Sequence, residues 1–294
     1  MMGLIDRAVG QVRDDTVIVG SADRQRKASR DEMTALFDLD MDKLAEKGIV
    51  QADPKRKAQI KELRAIKRRL LRRLGFLQQA GQDVRALRQT ARQRNLIMVT
   101  STRPQEGKTF TAVNLALSLA MEDKQKVILV DGDALRPQVR QYFDIPSGPG
   151  LLDRLTNPGL PMSAISHQAR QTALTVIGEG TSHPNPATVY SSSDAKRFFI
   201  ELSVRNPDRL IIVDAPPVLA TTEAIVLARH VDEIVFIVQA DSTPEPAAAT
   251  ALDELLEVNP NISLILNRCL IPAGGSHYGS YYQYERDGEG QSSS

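Results

Sequence analysis

Short apolar runs alternate with segments of helical periodicity between residues 96 and 267. Polar or turn-forming residues bound each run, and each of the first five runs is followed by a segment that can hold a helix. Continuously apolar strands that alternate with helices are typical of a parallel sheet covered on both faces. The pattern therefore predicts a doubly wound α/β fold with a mostly parallel sheet. The predicted strands span residues 96–100, 127–131, 174–177, 210–214, 233–239 and 262–267.

Helical periodicity dominates the segment that precedes this domain. Apolar residues recur at three- and four-residue steps over residues 58–77, which predicts an amphipathic helix. A short helix or docking segment is expected between Leu36 and Gly48, and a further helix over residues 84–92. We therefore divide the chain into a basic helical extension for docking or oligomerisation, residues 31–94, and an α/β domain, residues 95–271.

Both ends of the chain lack the apolar residues that a core requires. Residues 1–30 are polar and mixed in charge, which predicts a disordered N-terminus. Residues 272–294 combine Pro, Gly, Ser, Tyr and charged residues, and they predict a flexible tail.

The composition of the 294-residue chain excludes several classes of protein. No apolar run approaches the roughly 18 residues of a membrane span, and the N-terminus lacks the apolar stretch of a secretory signal. A single cysteine, Cys269, excludes an intramolecular disulfide framework, and the four histidines show no metal-ligand spacing. We therefore expect a cytoplasmic protein.

The net charge of +1 conceals an asymmetry along the chain. Residues 55–94 contain 14 Lys and Arg but only two acidic residues, Glu62 and Asp83, which leaves 23 basic and 34 acidic residues elsewhere. Such a basic segment suggests an electrostatic partner, which could be nucleic acid, an anionic membrane surface or the acidic face of another copy. A solvated helix face is the alternative.

Residues 101–109 have the features of a phosphate-binding loop. Their Gly-Lys-Thr core lies between a predicted strand and a predicted helix over residues 110–121, which is the context that such a loop requires. Lys108 is expected to bridge the β- and γ-phosphates and the Thr109 hydroxyl to bind Mg²⁺. The generic pattern is only partly met, because Thr102 replaces its first glycine. The expected nucleotide contacts are Pro104, Gln105, Glu106, Gly107, Lys108, Thr109 and Phe110.

Three aspartates follow two other predicted strands. Asp131 and Asp133 lie at the carboxyl end of one strand, and Asp214 lies at the carboxyl end of another. Open parallel sheets bind their ligands at these ends. A lone aspartate at a strand end is often only a helix cap, but three of them in phase with a Gly-Lys-Thr loop predict a site for a magnesium-bound nucleotide.

These motifs resemble those of the bacterial tyrosine kinases that accompany exopolysaccharide synthesis, and more narrowly the exosortase-associated tyrosine autokinases. That family has a loop of the form PGEGKT, an Asp-x-Asp motif followed by Arg, and a later Asp-x-Pro-Pro motif. The matching residues here are 104–109, 131–133 with Arg136, and 214–217. The similarity runs from about residue 38 to residue 285. It implies a fold like that of P-loop NTPases, with ATP and Mg²⁺ as cofactors.

Four of the six tyrosines lie within seven residues of the predicted tail. A flexible tail can bring a phenol to a neighbouring active site without unfolding the domain. Clusters of this kind are autophosphorylation sites in the family that the chain resembles, although a low-complexity tail without this role is the alternative. The expected phosphoacceptors are Tyr278, Tyr281, Tyr282 and Tyr284.

The resemblance also implies roles for individual residues. A free phenol has a pKa near ~10, so a carboxylate near its proton assists transfer, and we assign Asp131 to this role as the base. Asp133 is expected to support Asp131 or to help place the metal, and Asp214 to hold Mg²⁺ through its water shell. Asn267 and Arg268 match the base-contacting position. The expected catalytic residues are Lys108, Asp131, Asp133 and Asp214, and the expected metal-binding residues are Thr109, Asp131 and Asp214.

Two departures from the family pattern affect these expectations. Gln105 occupies the position of a second loop glycine, where a positive φ angle would cost a non-glycine residue about 1 kcal/mol. The oligomerisation motif Glu-x-x-Arg-x-x-Arg is replaced by Lys61, Arg64 and Lys67, which keeps two cations and loses the acid.

The leading prediction is an ATP-dependent protein-tyrosine autokinase that regulates exopolysaccharide polymerisation and export. A membrane protein of the chain-length-determinant class would activate it, placing it at the inner membrane through that partner, and copies would assemble into a ring that phosphorylates tails in trans. One alternative is a partition or positioning ATPase whose basic helix binds DNA or membrane. The other is a nucleotide-binding scaffold in which Gln105 has weakened catalysis.

Overall fold

Eight strands form one mixed sheet across the chain. The computed structural model describes residues 34–53, 55–76, 94–122 and 125–269. The strand order across the sheet is β1-β4-β5-β3-β6-β2-β7-β8. Strands β4 and β5 are antiparallel, and every other pairing is parallel. The strands are β1 (Ala35–Phe37), β2 (Leu96–Ser101), β3 (Lys126–Asp131), β4 (Ser166–Ala169), β5 (Leu174–Ile177), β6 (Arg209–Asp214), β7 (Glu233–Gln239) and β8 (Ile262–Asn267).

Helices cover both faces of the sheet, as the doubly wound pattern predicts. One apolar cluster joins α2 and α3 to one face, and a second joins α5, α7, α8, α9 and α10 to the other. The helices are α1 (Met41–Glu46), α2 (Lys57–Arg73), α3 (Lys108–Glu122), α4 (Val139–Tyr142), α5 (Leu151–Thr156), α6 (Met162–Ile165), α7 (Pro186–Tyr190), α8 (Ser193–Arg205), α9 (Glu223–Ala228) and α10 (Glu245–Leu256). Short 3-10 turns span Val50–Ala52 and Val218–Ala220.

The six strands predicted from apolar runs are all present, with ends that shift by at most one residue. The pattern predicts neither β1 nor β4. Strand β4 contains Ser166, His167 and Gln168, so it lacks an apolar run, and β1 has only three residues, which pair with β4. Of the two alternatives for the segment from Leu36 to Gly48, a short helix or a docking segment, the structure has a strand at Ala35–Phe37 and a helix only from Met41.

The long helix of the extension ends earlier than its apolar pattern predicts. Helix α2 stops at Arg73, and Gly75 takes a φ of +76°. The N–H of Phe76 then donates to the carbonyl of Leu71 at 2.8 Å, which satisfies a carbonyl at the helix end. A left-handed glycine followed by such a bond is a common helix terminator, and residue 77, the last position of the predicted helix, lies outside the described residues.

The described part of the extension shares a core with the α/β domain. Leu44, Ile49 and Leu70 are buried in the same apolar cluster as strand residues such as Val99. The backbone N–H of Val50 also donates to the side-chain oxygen of Asn114 in α3 at 2.7 Å. The extension is therefore packed directly on α3, the helix that follows the phosphate-binding loop.

An ion cluster ties α2 to the end of α3. Lys67 is 5% exposed, and its Nζ lies 2.7 Å from a carboxylate oxygen of Glu122; Arg64 pairs with the other oxygen at 2.8 Å. Arg64 and Lys67 are the two cations that match the oligomerisation motif of the family that the chain resembles. In this chain both of them bind an acid of their own α3.

Residues 1–30, the helix predicted over residues 84–92 and the tyrosine tail lie outside the described residues. In the part of the chain that the structure covers, none of the helices combines the length and the apolar character needed to cross a membrane. Among the same residues, no group of three or more His, Cys, Asp or Glu side chains could hold a metal ion.

The Glu122 cluster predicts a pH-dependent contribution to stability. Burial alone would raise the pKa of Glu122, but hydrogen bonds from Arg64 and Lys67 lower this pKa to about 2. A carboxyl group whose pKa is lowered on folding stabilises the fold above its unfolded value, near 4.5, and this contribution is lost as the pH falls towards 2. Glu122→Gln should therefore lower the unfolding free energy by about 2 kcal/mol at neutral pH, and by progressively less below about pH 4.5.

Urea unfolding of Glu122→Gln and wild type at several pH values measures this difference. The matched control is Glu201→Gln, which removes the acid of an exposed pair with Arg205 in α8. We expect that change to cost at most about 0.5 kcal/mol. Equal losses at the two sites, or a loss at Glu122 that does not vary with pH, would contradict the analysis.

Candidate active site

The loop between β2 and α3 has the backbone conformation of a phosphate-binding loop. Gln105 and Gly107 take positive φ angles of 68° and 97°, and α3 begins directly afterwards at Lys108. The free backbone N–H groups at the start of a helix attract anions. The positive φ angle anticipated for Gln105 is present, so a residue with a Cβ occupies a conformation that favours glycine.

Lys108 lies between the carboxylates that end two neighbouring strands. Its Nζ is 2.6 Å from Asp133 Oδ2 and 3.8 Å from Asp214 Oδ1, and the Lys108 side chain is only 10% exposed. Burial alone would lower the pKa of Lys108, but the charges of Asp214 and Asp133 raise this pKa above its ordinary value. The ammonium group is therefore charged and offsets the two carboxylates.

Asp214 has one carboxylate oxygen engaged and one without a hydrogen-bond partner. The hydroxyl of Thr109 donates to Oδ2 at 2.7 Å, whereas the buried Oδ1 accepts no hydrogen bond from any described residue. Burial raises the pKa of Asp214 to about 6, against the opposing effects of Lys108 and the Thr109 hydrogen bond. A buried carboxylate oxygen with no donor can accept a hydrogen bond from the water shell of a cation.

Asp131 is turned into the fold. Its Oδ2 accepts the N–H groups of Gln138 and Val139 at 3.0 and 2.9 Å, and its Oδ1 accepts the N–H of Asp133 at 3.2 Å. Burial raises the pKa of Asp131 well above its ordinary value. The carboxylate shapes the turn after β3 and does not line the cavity described below. Of the two aspartates of this motif, Asp133 lines the cavity, whereas Asp131, the base expected from the sequence, does not.

A cavity of about 730 Å³ opens at the carboxyl ends of the strands. This volume lies within the range of small-molecule sites. Most of the expected nucleotide contacts line it. These are Pro104, Gln105, Gly107, Lys108, Thr109, Phe110, Asn267 and Arg268, together with Asp133.

Glu106 is the exception among the expected nucleotide contacts. It is buried and does not line the cavity. Asn267 lines the cavity, but its side-chain Nδ2 donates to the carbonyl of Glu106 at 2.8 Å. Arg268 lies beside it and donates to the side-chain oxygen of Gln239 at 3.1 Å. Asn267 and Arg268 therefore line the cavity from the end of β8, and their expected contact with a nucleotide base stays a prediction.

The cavity wall also contains residues that the sequence did not assign. Arg136, Pro216 and Pro217 belong to motifs quoted in the sequence analysis, so their position after the strand-end aspartates was a usable signal. Tyr142 in α4 carried no such signal, since it reaches the cavity only through the packing of a four-residue helix. The remaining additions are Leu135, Gln138, Ala220 and Thr221. The four tail tyrosines lie outside the described residues.

The residues present fit a magnesium-bound nucleoside triphosphate. The loop offers backbone N–H groups at the start of α3, and Lys108 supplies a buried cation. Thr109 and the free oxygen of Asp214 supply the neutral and anionic oxygens that Mg²⁺ prefers. A Cβ at Gly107 would lie 2.2 Å from Asn267 Nδ2, so a larger residue there would displace the Asn267 side chain.

The strained loop residue predicts a stabilising substitution. Gln105→Gly should raise the unfolding free energy by about 1 kcal/mol, because glycine adopts a positive φ angle without steric cost. Urea unfolding measures the change. Gln138→Gly is the matched control, since Gln138 also lines the cavity but has an ordinary φ of −135°. For Gln138→Gly we expect the unfolding free energy to fall by about 0.5 kcal/mol. A fall in both variants would show that Gln105 is not strained in the wild-type loop.

Comparisons with known proteins find relatives that are named tyrosine-protein kinases. No family model matches the chain. The chain is 33% identical over 164 residues to the tyrosine-protein kinase YwqD of Bacillus subtilis (strain 168), covering 56% of this chain and 68% of that protein. It is also 33% identical over 136 residues to the tyrosine-protein kinase ptk of Acinetobacter johnsonii, covering 46% of this chain but only 18% of that longer protein.

A solved structure of a kinase domain shows the same fold. The crystal structure of the VpsO kinase domain superposes with a TM-score of 0.56 at 30% sequence identity, covering 63% of this chain and 89% of that domain. The match to YwqD extends over two thirds of that relative, and its alignment exceeds 30% identity. On this evidence the chain belongs to the bacterial tyrosine kinase family.

Proposed function

We propose that this chain is an ATP-dependent protein-tyrosine autokinase that phosphorylates its own tail tyrosines. The observation that carries the proposal is the buried Lys108, whose ammonium lies between Asp133 and Asp214. It directly follows a phosphate loop in which Gln105 and Gly107 take positive φ angles. Membership of the bacterial tyrosine kinase family supports this reaction. The proposed acceptors are Tyr278, Tyr281, Tyr282 and Tyr284.

The phosphates would be bound by the loop and by Lys108. Backbone N–H groups from Gln105 to Thr109 lie at the start of α3, where anions are stabilised. Lys108 would then exchange its contact with Asp133 for the β- and γ-phosphates, because the more strongly charged partner attracts it. Asn267 and Arg268 would contact the base from the end of β8.

Asp133 would act as the base. It lines the cavity, whereas Asp131 does not. In the transfer, the bond between the γ-phosphorus and its bridging oxygen breaks and a bond between the phenolic oxygen and the γ-phosphorus forms. Asp133 accepts the phenolic proton. ADP is the leaving group. In the described state Lys108 pairs with Asp133. When the Lys108 ammonium moves to the phosphates, the Asp133 carboxylate becomes free to accept the phenolic proton.

Thr109 lines the cavity and would hold Mg²⁺ directly. Asp214 is fully buried and does not line the cavity, so it would act on the metal through Thr109 and through water. When bound, Mg²⁺ neutralises charge on the phosphates as they react. Asp131 already accepts three backbone N–H groups, so in this proposal it shapes the turn after β3 and does not hold the metal.

The family resemblance supports a role in exopolysaccharide polymerisation and export. We propose that a membrane protein of the chain-length-determinant class activates the chain and holds it at the inner membrane from the cytoplasmic side. The family resemblance leads us to favour transfer in trans within a ring; the tail sequence begins a few residues after Asn267 and Arg268, which line the cavity. The ring would need contacts other than the pairing of Arg64 and Lys67 with Glu122 seen here.

Intact-mass analysis tests the proposed reaction. Phosphatase-treated wild-type protein incubated with Mg-ATP should gain increments of one phosphate, and peptide mapping should place them on the tail tyrosines. Lys108→Met should gain none. Lys126→Met removes an exposed lysine that pairs with Asp208, away from the cavity wall, and should behave as wild type.

The same assay tests the base. Asp133→Asn should bind Mg-ATP but lower the initial rate of phosphate incorporation by about a hundredfold or more. Retained phosphorylation in Asp133→Asn, with loss in a stably folded Asp131→Asn, would reverse the assignment. Nucleotide binding without any phosphate gain in wild type would contradict the autokinase and favour a positioning ATPase or a scaffold.

A further inference from the structure

The side chain of Glu106 points away from the nucleotide cavity and into the body of the chain. It is 4% exposed. One carboxylate oxygen accepts the hydroxyl hydrogen of Thr243 at 2.6 Å, and the other accepts the backbone N–H of Arg103 at 3.0 Å. Since both oxygens bind groups of the same chain, the carboxylate is not placed to contact a phosphate or to take a proton from an acceptor.

Thr243 connects this carboxylate to the end of β7. The oxygen of its hydroxyl accepts the backbone N–H of Gln239, the last residue of β7, at 3.1 Å. Thr243 lies in the loop before α10, 137 positions along the chain from Glu106. A single hydroxyl therefore bridges the phosphate loop and a strand on the far side of β2 from β6.

The backbone of Glu106 is tied to a second strand end. Its carbonyl accepts a hydrogen bond from the side chain of Asn267, the last residue of β8, at 2.8 Å. A Cβ at Gly107 would displace the Asn267 side chain from this position. Side chain and main chain of Glu106 thus anchor the loop to the carboxyl ends of β7 and β8.

We propose that Glu106, through Thr243, is a positioning residue that holds the phosphate loop in its nucleotide-binding conformation. It stands between the two left-handed residues of the loop, Gln105 and Gly107. The left-handed conformation of Gln105 is unfavourable by itself, so contacts on the neighbouring residue are needed to maintain it. The inference rests on the nucleotide site of the proposed function.

Loss of this tie should weaken nucleotide binding more than catalysis. A loop that is ordered only on binding loses affinity, because the ordering cost is then subtracted from the binding free energy. Substrate and transition state contact the loop alike, so KM for ATP should rise while kcat changes little. A residue that serves stability alone would shift the unfolding temperature without this split.

The experiment compares five variants of the whole chain with wild type. Thr243→Val keeps the shape and removes the hydroxyl, and Thr243→Ser restores it. Glu106→Ala removes the carboxylate, and the double variant Glu106→Ala with Thr243→Val measures their coupling. Thr250→Val is the matched control, because the Thr250 hydroxyl bonds only to the carbonyl of Pro246 within α10. Calorimetric titration with Mg-ATP gives Kd, and thermal unfolding monitors the fold.

We expect Kd for Mg-ATP to rise about tenfold in Thr243→Val and at least as much in Glu106→Ala. The double variant should bind Mg-ATP no more weakly than Glu106→Ala does, whereas Kd in Thr243→Ser and in Thr250→Val should stay within about twofold of the wild-type value. Wild-type affinity in Thr243→Val, or effects that multiply in the double variant, would overturn the proposal.

Measurements on the wild-type protein distinguish failure of the proposed function from failure of the role proposed for Glu106. If wild type binds Mg-ATP but transfers no phosphate, the kinase is refuted while the Kd values still decide the role of Glu106. If wild type binds no Mg-ATP, both proposals are overturned by that single titration.

Discussion

Carboxylates can be buried side by side only where cations or hydrogen-bond donors offset the loss of water. Strands β3 and β6 pair so that Asp131 lies beside Asp214, and Asp133 follows two residues later. Three backbone N–H groups bind Asp131, and the ammonium of Lys108 offsets Asp133 and Asp214. The phosphate loop that supplies Lys108 is therefore part of what permits these strand ends to be acidic.

Helix α3 extends this constraint across the domain. It carries Lys108 at its first residue and Glu122 at its last. The first end binds the carboxylates of the site, and the second binds two cations of α2. Almost every residue between them is buried, so the helix is a rigid element packed on β2, β3 and β6. The extension is in this way joined to the helix that presents the phosphate loop.

Much of the fold could be predicted from sequence, because parallel buried strands are read as apolar runs and the loop motif follows one of them. Strands β1 and β4 could not, since their pairing joins residues far apart and their side chains are partly polar. The directions of Asp131 and Glu106 were also unpredictable. Asp131 accepts three backbone N–H groups whereas Asp133 pairs with Lys108, and the motif itself does not distinguish the two; Glu106 is bound by a threonine 137 positions away.

A crystal structure of the chain with magnesium and a non-hydrolysable ATP analogue would test the central claim most directly, namely that Lys108 exchanges a carboxylate for phosphate. We predict that Lys108 Nζ leaves its position 2.6 Å from Asp133 and contacts the phosphates, with Asp214 facing the water shell of the metal. An analogue bound elsewhere, or bound in the loop with the contact between Lys108 and Asp133 intact, would contradict the account.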